Sequence, residues 1–439
     1  MTTNPVPAMV SPEAAPIYTP SARRGAFLAS FTDGHSLEVE PGRARLYPGL
    51  RGEAPSMAAF YDAFADFVGH GRVLDAGCGA GIGSARLAAR GLSVLAVDRD
   101  PIALTFARRQ APAAEHQMKD LVALELDSAF DGAVVADVLS HALEPEAALL
   151  SIGRALRLGA PLLVAEPAAH VSQRLSVPQR RAFSVGRLRS LLCRTGFEVD
   201  AVICDRVPFV ALLATARDRT VADAFASAYA CAAEGDLNAA LSALAAARAT
   251  GRSQVELEVL LAETELFLAS GQGDRAAAAC FQARKLAPND ARPLVGLGRI
   301  ALSSAGPSDA LHLALDALRH DITEPTAYAL AAIAADALGH PDAFTAWRTA
   351  GNLAPDDAVV VGELARSAAA RGDHALALAS LERLEGYGAT LEAEHHVTRA
   401  WLLIAAGRRN DAAVEARIAA AKQANPADLL ALEQAIAKG

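Results

Sequence analysis

The chain has no unbroken apolar run of the ~18 residues that a membrane-spanning helix needs, so no span is expected. Cysteine is sparse: Cys78, Cys193, Cys204, Cys231 and Cys280 form no C-x-x-C pair and show no zinc spacing. A disulfide framework and a metal site are therefore not expected, and the five read as small buried residues in a reducing compartment. Basic residues are outnumbered, 41 against 50 acidic, for a net charge of −9. That balance argues against non-specific nucleic-acid binding, which needs basic surface. The acidity lies mainly after Ala216. The first 20 residues have no Lys or Arg and hold five prolines. They read as part of a flexible Pro-rich head over residues 1–42 rather than a signal peptide, and a cytoplasmic location is the default expectation. What is abundant is apolar residue, 52% of 439. That length exceeds one ordinary core, so two domains are expected.

The most informative stretch is Val73-Leu74-Asp75-Ala76-Gly77-Cys78-Gly79-Ala80-Gly81-Ile82-Gly83. An apolar run ends in an acid, glycines alternate, and a helical pattern follows. This is a buried parallel strand feeding a tight turn into a helix, with glycines where a ligand comes close. The spacing excludes a P-loop, because no Gly-Lys-Ser/Thr follows. It also fails the dinucleotide pattern G-x-G-x-x-G, which meets Ser84 from Gly79 and Ile82 from Gly77. Ser93–Asp98 reads as a second buried strand ending in an acid, at roughly the 20-residue interval where such an acid meets a ribose. Asp100 suits an N-cap for a helix from Pro101 to Gln110.

The glycine loop resembles the cofactor loop of class I S-adenosylmethionine-dependent methyltransferases. The order of strands and helices that follows, including Asp131-Gly132-Ala133-Val134-Val135-Ala136-Asp137-Val138-Leu139-Ser140-His141, is similar to the ubiquinone-biosynthesis type. The resemblance runs from about Ala58 to Ala216. It implies an α/β Rossmann-like seven-stranded sheet over 43–216, with S-adenosyl-L-methionine as cofactor. It assigns Asp75, Gly77, Gly79, Gly81, Asp98, Arg99, Asp120 and Leu121 to the cofactor site. It also places a covering helix before the first strand, whose Tyr61 is the candidate to reach the methionine carboxylate; the alternative is that Tyr61 packs this helix onto the sheet.

After about Val221 the chain turns into Ala-rich helix. Gly235, Gly271, Gly306, Gly339, Gly372 and Gly407 recur at about 34 residues, the tetratricopeptide period. Small residues keep register after each turn: Ala240, Ala276, Ala310, Ala343, Ala377 and Ala412, then Ala247, Ala283, Ala317, Ala350, Leu384 and Ala419. Leu384 breaks the small-residue rule. The pattern resembles about six tetratricopeptide repeats over 221–426 and a capping helix over 427–439, an all-α solenoid. In that register Arg292, Arg299, Tyr328, Arg366 and Trp401 fall on the concave face, as candidates for capturing a protein partner; self-association is the alternative.

The cofactor fixes the methyl donor and leaves the acceptor open. The chain has no Asn/Asp-Pro-Pro-Tyr motif for amide or base nitrogen and no acidic triplet to hold magnesium against a catechol. The expectation is O-methylation of a small molecule or sugar. One alternative is methylation of a protein or protein-bound glycan captured by the repeats. Another is a non-catalytic adaptor with a vestigial methyltransferase fold. His141, just beyond the fourth strand, is the candidate base, against a structural histidine bonded to a loop; Glu166 and His170 are weaker candidates. His170, Arg174, Arg180 and Arg181 lie in an apparent insertion after the fifth strand and would suit an acidic acceptor group.

Overall fold

The computed structural model describes residues 57–169, 180–206, 209–304, 306–386 and 391–437. The chain divides into two compact units, one made of 1–168 and 183–288, the other of 169–182 and 289–439.

The first unit opens with helix α1 (Met57–Val68) and alternates β1 (Arg72–Ala76), α2 (Ile82–Ala89), β2 (Ser93–Asp98), α3 (Pro101–Gln110) and β3 (Glu115–Met118). It continues through β4 (Gly132–Ala136), α4 (Pro145–Ala155), β5 (Pro161–Pro167), α5 (Val185–Arg194), β6 (Phe197–Arg206) and β7 (Phe209–Ala216). The strands form one sheet in the order β3-β2-β1-β4-β5-β7-β6. Strands β1 to β5 run parallel and β7 is antiparallel to both its neighbours. Successive side chains of a strand point to opposite faces, so an all-apolar strand feeds two cores. Leu74, Leu95, Val135 and Leu162 pack on one face with Leu149, Ile152 and Leu188. Val73, Val94, Val134 and Leu163 pack on the other with Phe60, Phe64 and Leu87. Asp100 caps α3 as expected, accepting the Ile102 N–H.

Four further helices belong to this unit: α6 (Thr220–Ala233), α7 (Leu237–Arg248), α8 (Ser253–Ala269) and α9 (Gly273–Leu286). The expected boundary near residue 216 is therefore not where the compact unit ends. Strand β6 is a sheet edge, with backbone groups that need partners. Gln254 of α8 supplies both for Val199, accepting its N–H at 3.1 Å and donating to its carbonyl at 2.8 Å. Buried Glu258 accepts the Ser190 hydroxyl at 2.5 Å, and Val221, Phe225 and Val259 share a core with Cys193.

The second unit is built from helices: α10 (Arg292–Ser304), α11 (Pro307–His320), α12 (Pro325–Ala337), α13 (Ala343–Leu353), α14 (Ala358–Ala370), α15 (His374–Gly386), α16 (Ala393–Ala405), α17 (Arg409–Ala421) and α18 (Pro426–Ala437). The six recurrent glycines, across both units, all take left-handed φ between 66° and 110°, which turns one helix back on the next. All twelve residues of the small-residue register are 0% exposed. Leu384 is accommodated against Val361 and Leu391 rather than displacing its helix. Gly298 shows how close the helices come: a Cβ there would lie 2.3 Å from Leu330 Cδ2. In α18 only Leu432 is buried, which suits an end helix with one face covered. Among the described residues, no helix is long and apolar enough to cross a membrane.

Candidate active site

The parallel strands bring their carboxyl ends to one edge, where open α/β sheets bind ligands. The glycine loop leaves β1 there. Gly77 and Cys78 both donate to the Val97 carbonyl, at 2.8 and 2.9 Å, so the loop is stitched to β2. The glycines serve different needs. A Cβ on Gly81 would lie 2.7 Å from Ala107 Cα, so this one admits α3. Gly79 has φ +52° and nothing within 4 Å of where a Cβ would stand. Its backbone therefore lines open space that a ligand can approach.

Asp98 ends β2 beside this opening and is partly exposed. One carboxylate oxygen accepts the Gly79 N–H and the other the Asp100 N–H, each at 2.9 Å. A carboxylate offers about four lone-pair positions, so two remain for hydroxyls. Asp120 is exposed just after β3, with Oδ1 accepting the Val122 N–H at 3.1 Å. Leu121 follows it half-buried, and Arg99 is exposed beside Asp98. These residues fit S-adenosylmethionine: an open glycine cradle, one acid with spare acceptors, and a second acid beside an apolar side chain.

Asp75 and Tyr61 are placed differently from the other candidates. Asp75 is wholly buried. Its two oxygens accept the Tyr61 hydroxyl at 2.9 Å and the Ser84 hydroxyl at 2.6 Å. Burial pushes its carboxyl up to about 6, against the pull of those two hydroxyls. Burial, with the Asp75 charge next, raises the Tyr61 phenol well above its ordinary value. Tyr61 is thus held inside the protein, tying α1 to the loop, in keeping with the alternative in which it packs this helix onto the sheet. Burial, with the Asp75 and Asp98 charges next, likewise pushes the Cys78 thiol up to about 12.

His141 lies after β4, half-buried, with Nε2 3.4 Å from Asp137 Oδ1. Asp137 takes φ +55°, uncommon for a residue with a side chain, and accepts the Ser140 hydroxyl at 3.0 Å. Glu166 is 0% exposed and reaches the same loop from β5. Its Oε1 accepts the Val138 and Leu139 N–H groups at 3.0 and 2.8 Å, and its Oε2 the Ser140 N–H at 3.0 Å. Burial pushes its carboxyl up to about 7, opposed by those three donors. Sequence reasoning missed Asp137, Ser84 and Ser140. For Asp137 the available signal was an acid bounding an otherwise apolar strand; Ser84, in α2, and Ser140, in the loop after β4, carried none.

His170 and Arg174 lie outside the described residues. Arg180 and Arg181 belong to the second unit, and Arg181 pairs there with Asp356, so its charge is not held open for an acceptor. In the same unit Arg292 pairs with Asp290, Arg366 with Glu363, and Tyr328 packs beside Leu353. Arg299 is exposed, and Trp401 is 41% exposed.

Residues 74–164 match the family model described as "Methyltransferase domain". Two relatives from Mycobacterium tuberculosis, strains CDC 1551 / Oshkosh and H37Rv, both named as probable S-adenosylmethionine-dependent methyltransferases, are 32% identical over 149 residues. The match covers 30% of this chain, and the chain spans about half, 50%, of those relatives. Among solved structures, a SAM-dependent methyltransferase from Methanosarcina mazei is similar at 21% identity and TM-score 0.31, covering 34% of this chain and 93% of that one. The magnesium protoporphyrin IX methyltransferase of Synechocystis with bound SAH is similar at 20% identity and TM-score 0.31, covering 37% and 83%. On the family match and the mycobacterial relatives, the chain carries an S-adenosylmethionine-dependent methyltransferase domain.

Proposed function

We propose that the chain methylates a hydroxyl oxygen on a small molecule or sugar, with His141 as general base. The observation that carries this reading is the His141–Asp137 pair at the carboxyl edge, 3.4 Å apart, in the loop after β4. Bound S-adenosylmethionine supplies a methyl group on a positively charged sulfur, ready for in-line displacement. Asp98 and the Gly79 backbone would hold it, with Asp120 and Leu121 on the β3 side. In this role Asp137, 3.4 Å from Nε2, would favour the proton on that nitrogen and leave Nδ1 as the acceptor for a proton. Nδ1 would take the proton of the acceptor hydroxyl, and the methyl group that the oxygen receives is what S-adenosylmethionine would supply when bound. Alignment of the two reactants supplies the rest of the rate enhancement.

The helices from residue 220 onward are, in this reading, tetratricopeptide repeats that dock a partner or a second copy. Support comes from the glycine period and from the twelve buried register positions. Exposed Trp401, a residue type enriched in binding hot spots, favours a docking role. A methyl acceptor borne on a docked protein is the second reading. The test is a comparison of metabolites from wild-type and deletion strains for pairs differing by one methyl group. The purified chain must then convert the lighter compound with labelled S-adenosylmethionine. A deletion strain with no such pair, or a chain that methylates only protein, overturns the small-molecule assignment.

A further inference from the structure

We propose that Glu166 is a positioning residue for methyl transfer: its carboxylate gathers three consecutive backbone N–H groups and thereby sets the Asp137–His141 pair. The inference rests on the reading of His141 as base. The geometry runs as one chain of restraints within the first unit. Val138, Leu139 and Ser140 donate to Glu166 at 2.8–3.0 Å. Successive amides converging on one anion form a concave nest, a fixed local shape. The Asp137 N–H is anchored to the Ala165 carbonyl at 2.8 Å, and the His141 and Ala142 N–H groups close a turn onto the Val138 carbonyl at 3.0 Å. The Ser140 hydroxyl then holds Asp137 Oδ1, which lies 3.4 Å from His141 Nε2. Asp137 keeps its left-handed backbone, at φ +55°, because the contacts around it over-determine it. An acid inside an apolar strand is costly to bury. Here it satisfies three amides that an apolar side chain would leave unpaired.

Glu166→Gln separates this from a merely structural role. The amide oxygen can replace only one carboxylate oxygen, so its NH₂ faces either the Ser140 N–H or the Val138–Leu139 pair. On the full chain, three quantities are read: hydrogen exchange of the Val138, Leu139 and Ser140 amides, the ¹⁵N shifts of the His141 ring, and affinity for S-adenosylmethionine. The expected result is amide exchange at least about tenfold faster, ring shifts moved toward a different tautomer balance, and cofactor affinity within about threefold of wild type. Ser140→Ala, which cuts only the hydroxyl link to Asp137, should move the ring shifts and leave the three amides slow. Fast exchange of those amides in the unmodified chain overturns the proposal without any variant. So does a Glu166→Gln chain with unchanged amides and ring shifts. If Glu166→Gln does not fold, Ser140→Ala and the unmodified chain still decide: Ser140→Ala ring shifts equal to wild type also overturn it. Should His141→Ala keep full turnover on an identified acceptor while the exchange result stands, the base reading fails and the loop restraint by Glu166 does not.

Discussion

Asp98→Ala is the substitution whose cost can be worked most directly from the structure. Each Asp98 oxygen already takes one backbone N–H at 2.9 Å, from Gly79 and from Asp100. Each keeps a lone pair, so the carboxylate can hold the glycine loop and the two vicinal ribose hydroxyls together. A hydrogen bond to a charged group contributes about 1.5–3 kcal/mol. Alanine should therefore weaken S-adenosylmethionine binding by roughly 10- to 150-fold, at about 1.4 kcal/mol per factor of ten. Asparagine should not rescue it. One oxygen becomes an NH₂ group, which must face the Gly79 or the Asp100 N–H, two donors against each other. Its affinity should fall within about threefold of the alanine variant, on the same hydrogen-bond reasoning. The assay is calorimetric titration of the full chain. Exchange of the Gly79 amide, read without cofactor, separates loop loosening from lost ribose contact. An Asp98→Ala chain that binds within twofold of wild type refutes the assignment, and full rescue by asparagine refutes the two-oxygen argument.

Gly83→Ala places a Cβ 2.2 Å from Tyr61 Cζ. Overpacking of this kind costs about 1–3 kcal/mol, so the melting temperature should drop by several degrees; an unchanged melt would mean that the Tyr61 ring does not lie against Gly83. Gly79→Ala meets no neighbour but strains a left-handed backbone at φ +52°, at a cost of about 1–2 kcal/mol, and should lower cofactor affinity by more than that strain alone, read by calorimetry against the same melt. A fragment ending at Pro288 should stay folded and bind S-adenosylmethionine, whereas one ending at Ala216 loses Gln254 and Glu258 and should melt lower or aggregate, as light scattering would register. His141→Ala should cut turnover about 10²–10⁴-fold with cofactor affinity intact; a lower melt with a small rate effect would make it structural. Burial raises the Glu166 carboxyl to about 7 in the folded chain, against an ordinary 4.5, so the ionised form that gathers the three amides prevails above that pH. The folded chain thus binds more protons across that window, and burying this acid destabilises increasingly as pH rises through it. Glu166→Gln, which does not titrate, should gain on wild type by about 2–3 kcal/mol between pH 5 and pH 8, since each pH unit inside the window contributes about 1.4 kcal/mol. A stability difference that stays flat across those pH values would contradict this.

Much of the first unit was legible because a sheet covered on both faces demands nearly continuous apolar strands. Glu115–Met118 and Pro101–Gln110 fall where their caps and runs place them. The helical half was legible through its turns, since six glycines at one period can only be repeated reversals. The extent of the first unit was not. Composition shows where helices begin but not what they pack on, and Gln254 and Glu258 read as ordinary surface residues until β6 is known to be an exposed edge. For Tyr61 the sequence left two readings open, for a related reason. Its partner Asp75 lies 14 residues away on another element, and no local pattern distinguishes a tyrosine that faces a ligand from one that faces a buried acid.

Asp75, Asp98 and Glu166, in β1, β2 and β5 at the carboxyl edge, show how one residue type divides its labour. Each accepts hydrogen from a neighbouring loop or helix, and each does so where an apolar side chain would leave donors unpaired. What separates them is the capacity left over. Asp75 is sealed by Tyr61 and Ser84, and Glu166 by three amides, both at 0% exposure. Burial raises both carboxyls, to about 6 and about 7. Asp98 has the same loop-holding duty but stays partly exposed. Of the three, Asp98 alone combines a fixed position with unspent acceptors, and on that ground it is the one whose substitution tests the proposed cofactor site.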